Sequence, residues 1–301
     1  ASGATLSSPK DGNWRAVHNQ WLENQMPFNE IQTLDIWQMP RRPELDDTLL
    51  HGFSFESSTN ANFTRVARLW DLTNTRYILG ARALEGELNN LFGAGQLMFK
   101  PVMGFDLAAK PGTSEAAGIT LDDITAVPNP KGQYAVFENT RALPRVKLFP
   151  RWEVIADNPA ALDRLRAADF DPATSVVLDA APGVPAPGDT QGANATPVPA
   201  TATLTEWTPK RIVVQTECAA PAVLLLNERW HPDWTVTVDG APAELRRANY
   251  LMRGVGVPAG KHTVEFRYLP SVRMLWVSLT ALGIALAFGV WLVVGRSARP
   301  G

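Results

Sequence analysis

Four histidines (His18, His51, His231, His262) and one cysteine, Cys218, are the side chains best suited to metal ligation or nucleophilic catalysis. Zinc ligands and Cys/His pairs come in tight spacings, and here no histidine stands four residues from another or near Cys218. No metal, cofactor or catalytic residue is therefore assigned. Asp46-Asp47 and Asp122-Asp123 could in principle supply paired carboxylates for acid–base work or calcium, yet neither pair lies in a glycine-containing calcium loop. They read as solvated loop charges. Gly93-Ala94-Gly95 lacks the third glycine and the preceding strand of a dinucleotide loop, and no Gly-x-Ser-x-Gly elbow exists.

Binding chemistry is better represented. Trp207, Trp230, Trp234 and Tyr250 are flat rings beside polar residues, able to stack on sugars or to fill a sandwich core, and core filling is the stronger expectation. Trp230 and Trp234 are four apart where a loop meets a strand. At least one of them is expected to point outward with Glu228, Arg229 and Asp233, an exposed edge that would contact a ligand or partner.

The elements that position these residues follow from periodicity. Up to about Gly52 the chain is irregular, with Trp14, Trp21 and Trp37 among polar residues. Phe63, Val66, Ala67 and Trp70 then share one helical face, and a strand is expected at Tyr77–Leu79 with a second helix near Ala83–Leu91. Short strands at Ile119–Val127 and Tyr134–Glu138 flank a Pro-Asn-Pro-Lys-Gly turn. Trp152–Ile155 is a further strand, Asn158-Pro159 opens a helix with Leu162 and Leu165 inward, and Val176–Leu178 is a buried strand. Residues 181–200 are rich in Pro, Gly and Ala and read as a linker. Beyond it the period becomes two, with seven short strands between Ala202 and Tyr268 and tight turns at Asp239-Gly240 and Ala259-Gly260. The expected architecture is an α+β domain over 1–180, an immunoglobulin-like β-sandwich over 201–270 and one transmembrane helix.

That helix is Met274–Gly295, 22 residues without a charge, bounded by Arg273 and Arg296 and carrying Trp276 and Trp291 near its ends. The short tail of 296–301 has two arginines and fits the cytoplasmic side of a bacterial cytoplasmic membrane, which places the bulk in the extracytoplasmic, periplasmic space. Gly283, Ala285, Ala287 and Gly289 would permit a second helix to approach closely, so membrane lipid and a membrane-protein partner are expected; the alternative is ordinary span composition. With formal net charge −2, 45% apolar residues and no Lys/Arg cluster, the chain is folded protein and nucleic acid is excluded as a partner. A lone cysteine leaves no internal disulfide framework. Asn62-Phe63-Thr64 and Asn194-Ala195-Thr196 match the glycosylation acceptor pattern, but no modification is expected in a bacterial protein. The opening Ala1-Ser2-Gly3 has no apolar leader, so an upstream signal peptide or multispan region is expected.

The run 227–240, Asn-Glu-Arg-Trp-His-Pro-Asp-Trp-Thr-Val-Thr-Val-Asp-Gly, followed by Leu251–Val257, Pro258-Ala259-Gly260, His262-Thr263-Val264 and Phe266-Arg267-Tyr268, resembles the carboxyl-terminal region of YfhO-like bacterial membrane proteins. Looser likenesses lie in Asp71–Leu79, in Leu143-Pro144-Arg145 with Val146–Phe149, and in Asn19-Gln20-Trp21 and Gln38–Arg41. Full-length members resemble multispan glycosyltransferases that use polyprenyl-phosphate sugars, with acidic catalytic residues in an early loop that has no counterpart in this sequence. The resemblance therefore implies a non-catalytic module of such a transferase system, binding glycan or a partner near the membrane. The alternative is a single-span accessory subunit of a larger membrane complex, and an independent hydrolase of envelope sugars has little support.

Overall fold

In the computed structural model the described residues are 44–45, 48–49, 60–93, 95–113, 123–185, 200–270 and 272–297. The chain is mostly β-sheet with a few helices. His18, His51, Asp46-Asp47, Asp122, the three early tryptophans and the second acceptor pattern lie outside the described residues.

The first layer pair comes from 60–139. Strands β1 (Tyr77–Ala81), β2 (Phe99–Ala109), β3 (Ile124–Pro128) and β4 (Tyr134–Asn139) form an antiparallel sheet in the order β1-β4-β2-β3. Helices α1 (Asn60–Leu72) and α2 (Glu85–Leu91) supply the residues that cover one face. The expected stripe of α1 is apolar because it must meet Phe99 and Phe137: Ala67 is buried there and the Trp70 ring lies 4.8 Å from Phe92 and 5.8 Å from Phe99. Asn89 joins α2 to β2 through its side chain. Its Oδ1 accepts from the Met98 and Phe99 amides at 2.7 and 2.8 Å, and its Nδ2 donates to the Phe99 carbonyl at 3.0 Å. Strand β2 is longer than the short runs expected for this region, because a register shift between Pro101 and Met103 accommodates the missing proline N–H.

The second layer pair is a sandwich. Its six-stranded sheet takes β5 (Val146–Phe149), β6 (Trp152–Val154), β7 (Val176–Leu178), β10 (Ala222–Arg229), β13 (Arg246–Ala248) and β14 (Met252–Val257), ordered β5-β10-β14-β13-β7-β6. Its five-stranded sheet takes β8 (Ala200–Trp207), β9 (Arg211–Cys218), β11 (Trp234–Val238), β12 (Ala241–Ala243) and β15 (Gly260–Tyr268), ordered β12-β11-β15-β9-β8. Leu148, Leu224, Leu226, Val255 and Val257 from the first sheet meet Ile212, Val214, Val236, Val264 and Phe266 from the second in one buried cluster. Each such side chain contributes about 1.5–3 kcal/mol by leaving water.

Strands before and after 181–200 thus share one hydrogen-bonded sheet, so a boundary at 180 runs through it. Of that segment, 186–199 lie outside the described residues, whereas Pro182 is buried and packs on β14: a Cβ built on Gly256 would meet the Pro182 carbonyl oxygen at 2.3 Å.

Helix α3 (Asn158–Arg166) links β6 to its parallel neighbour β7. Asp157 caps it, Oδ2 accepting from the Ala160 amide at 2.9 Å, with Pro159 in the first turn. Leu162 and Leu165 face inward as expected, against Leu69 and Leu72 of α1 and Val177 of β7. Arg68 fastens α1 to the end of α3 by donating to the Phe170 carbonyl at 2.6 Å and the Leu165 carbonyl at 3.3 Å. Asp71, 2% exposed, is held by Arg141 at 2.9 Å and by Asn139 at 3.2 Å.

Strand β15 ends at Tyr268, and the last helix follows a short connection: α4 spans Arg273–Ser297, 25 residues. At 1.5 Å per residue it is about 38 Å long. Its described side chains, those of 276–289 and 291, are exposed. Among the described residues no helix is long and apolar enough to cross a membrane. The longer apolar stretch is a property of the whole element's sequence, in which Arg273 and Arg296 are the charges.

Candidate ligand-binding site

Strand direction brings one group of residues together. Chain reversal places the end of β10 beside the start of β14, with Arg229 opposite Met252, and the start of β11 beside the end of β15, with Trp234 opposite Tyr268. Trp207 closes β8 opposite Ile212, at the same end of the five-stranded sheet as the Arg211–Arg267 pair. A bulge between Leu226 and Arg229 breaks the regular alternation just where the polar residues of β10 begin.

Two arginine–tryptophan pairs occupy this end. Glu228 Oε1 accepts from Arg145 Nη1 at 2.6 Å and from Trp207 Nε1 at 3.2 Å, while the Arg145 guanidinium lies 4.8 Å above the Trp207 ring. The Arg253 guanidinium stacks on Trp234 at 3.7 Å, and its Nε donates to the Arg229 carbonyl at 2.9 Å. Only 4% of Arg253 is exposed. Burial pulls its pKa down to about 10, with the Glu228 charge working in the opposite direction. Trp234 leans on Tyr268 at 5.4 Å, and His231 meets the same tyrosine at 5.8 Å. Asp233 shapes the connecting loop, its N–H donating to His231 Nδ1 at 3.2 Å and its carbonyl accepting from the Leu269 amide at 2.8 Å.

The structure therefore gathers Glu228, Arg229, Trp230, Asp233 and Trp234, but not as the exposed edge expected from the sequence. All five are half-buried, because Glu228 is covered by Arg145 and Trp207, and Trp234 by Arg253 and Tyr268. Trp207 belongs with them and is 41% exposed. Tyr250 does not; it is buried with Leu162 and Leu165 on the outer side of the six-stranded sheet. Arg145, Arg253 and Tyr268 are members that sequence reasoning misses. A signal for Arg253 exists in the sequence, since it shares strand parity with the core residues Val255 and Val257 and so stands as a charge at an inward position.

Other candidates for chemistry lie apart. Cys218 is buried at the opposite end of β9, its thiol donating to the Pro258 carbonyl at 3.1 Å, and burial raises its pKa. His262 pairs with Asp239. Among the described residues no group of three or more His, Cys, Asp or Glu is placed to hold a metal. Gly93 ends α2 against its own turn, where a Cβ would meet the Gln96 carbonyl oxygen at 2.5 Å. Gly283 and Gly289 have nothing within 4 Å of a built Cβ.

The arrangement offers hydrogen-bond donors, the two carboxylates of Glu228 and Asp233 and flat rings, which suits recognition of polar groups. No protein-family model, no curated protein and no solved structure matches the chain.

Proposed function

We propose that this chain is a non-catalytic, membrane-anchored extracytoplasmic module of a YfhO-like glycosyltransferase system that uses polyprenyl-phosphate sugars, and that it holds a glycan or a partner chain close to the bilayer. The sandwich serves as an immunoglobulin-like binding unit, α4 is the span in a bacterial cytoplasmic membrane, and the tail after it is cytoplasmic. One observation carries the reading: the arginine–tryptophan end of the sandwich is also the end at which β15 leaves, through 269–272, for α4. Four residues reach about 14 Å at most, so an anchored α4 holds this cluster near the headgroup layer. Trp207 is exposed enough to stack on a sugar while its N–H is fixed on Glu228.

Two measurements test the reading. Alkaline carbonate should leave the full chain in the membrane pellet, and Trp207→Ala should lower retention on a glycan array at least fivefold without changing the circular dichroism spectrum. A chain washed off by carbonate sinks the anchor. A folded Trp207→Ala variant with undiminished retention sinks the glycan site.

The small residues Gly283 and Ala287, four apart on one helical face, favour a second reading, a single-span accessory subunit whose helix docks on another membrane helix. Gly283→Leu would then release a co-purifying membrane protein.

A further inference from the structure

Arg253 is a buried cation short of an anion. Among the described residues it has no ion-pair partner; the carboxylate that influences it, Glu228, is engaged by Arg145 and Trp207. Its Nη1 and the indole Nε1 of nearby Trp230 are both buried without a hydrogen-bond acceptor. Trp230 is close along the ladder, since its amide donates to the Leu251 carbonyl at 2.7 Å while Arg229 faces Met252.

A buried guanidinium left partly unpaired is costly, and stacking on Trp234 offsets only part of that cost. Both orphaned groups donate and neither accepts. Their natural complement is an oxygen-rich anion, and a phosphate supplies oxygens for donors that arrive from different directions. The loop that follows Trp230, between β10 and β11, carries the exposed residues His231 and Pro232.

We propose that Arg253 and Trp230 bind the headgroup phosphate of an anionic membrane phospholipid, clamping the sandwich to the bilayer surface. The lipid source rests on α4 being the anchor proposed above: the cluster sits at the helix-proximal end, where lipid phosphate is the most abundant anion. Anion binding by the two donors does not need that reading.

The test uses the full chain in dodecyl maltoside micelles, which contain no phosphate, with native mass spectrometry and tryptophan emission as readouts. Dihexanoyl phosphatidylglycerol, dihexanoyl phosphatidylcholine and inorganic phosphate are the probes. One phosphatidylglycerol retained per chain, at least tenfold more tightly than either other probe, is expected. Arg253→Gln should weaken retention at least tenfold. Trp230→Phe keeps the ring and removes only the N–H, so it should weaken retention about threefold in a protein that still folds. Equal retention of inorganic phosphate overturns the lipid source. Retention that neither variant changes overturns the site, as does no retention of any probe. If carbonate extraction shows that α4 is no anchor, the inorganic phosphate titration in detergent-free buffer decides the anion site: a response lost in Trp230→Phe upholds it, and no response overturns it.

Discussion

His262 Nδ1 and Asp239 Oδ2 lie 2.6 Å apart, joining β15 to the turn after β11 at the end of the five-stranded sheet remote from the tryptophans. Asp239 has φ 52° and Gly240 φ 81°, a conformation that a tight turn requires and that the side chain stabilises by also accepting from the Thr263 amide at 2.7 Å. The other imidazole nitrogen faces the Ala259 carbonyl at 3.2 Å, so both ring nitrogens meet acceptors.

That geometry favours the imidazolium. The hydrogen bond to Asp239 raises the His262 pKa above its usual 6.5, and the bond from His262 lowers that of Asp239 below its usual 3.8. A raised histidine pKa contributes stability that is complete below the unfolded value and is lost as pH rises through the folded one. The lowered Asp239 pKa acts at the acidic side, with its contribution lost as pH falls through the folded value. The melting temperature should therefore decline as pH rises above the usual histidine value of 6.5, and His262→Gln should flatten that slope. A slope unchanged by the substitution would refute the assignment.

Trp234 supports both the sandwich core and the Arg253 guanidinium. Trp234→Ala should cost about 3–5 kcal/mol in chemical denaturation, more than Trp234→Phe, which keeps a ring beneath the cation.

Asn89 satisfies two buried amides and one carbonyl at the start of β2. Asn89→Leu keeps the volume but orphans them, with an expected loss of about 2–3 kcal/mol. Hydrogen exchange should show the Met98 and Phe99 amides losing protection ahead of the rest of the sheet.

Gly256→Ala tests the seat of 181–185 on β14. A Cβ there meets the Pro182 carbonyl oxygen at 2.3 Å, so Pro182 must lift and about 1–3 kcal/mol is lost. New proteolytic cleavage near 181–185 would report the displacement directly.

Local signals account for what was legible. Period-two alternation located most strands from Ala200 to Tyr268 within a few residues, Asp-Gly marked the β11–β12 turn, and Asn158-Pro159 marked the start of α3. Seven strands were expected there and eight form, because β12 and β13, read as one run at Ala243–Arg246, are separate strands in different sheets. The α1 stripe was likewise readable from spacing. Pairing across long separations was not: β5 joins β10, and β7 joins β13, through registers such as Leu224 opposite Leu148 that no local window contains. Pro101 disguised β2 as broken strand. At the candidate site the aromatic residues and Glu228 were visible as types, but their covering depends on Arg145 and Arg253, which reach them only through the sandwich.

The mixed parentage of the six-stranded sheet sets where this chain tolerates being cut. Residues 201 onward, prepared alone, would lose Leu148 from the inner face and strip β5 from β10 and β7 from β13. Two raw margins of unpaired amides and carbonyls would remain, one of them running beside Val223, Leu224, Leu225 and Leu226. Such a fragment recruits strands from its own copies. Truncations that begin upstream of Val146 keep those margins sheathed.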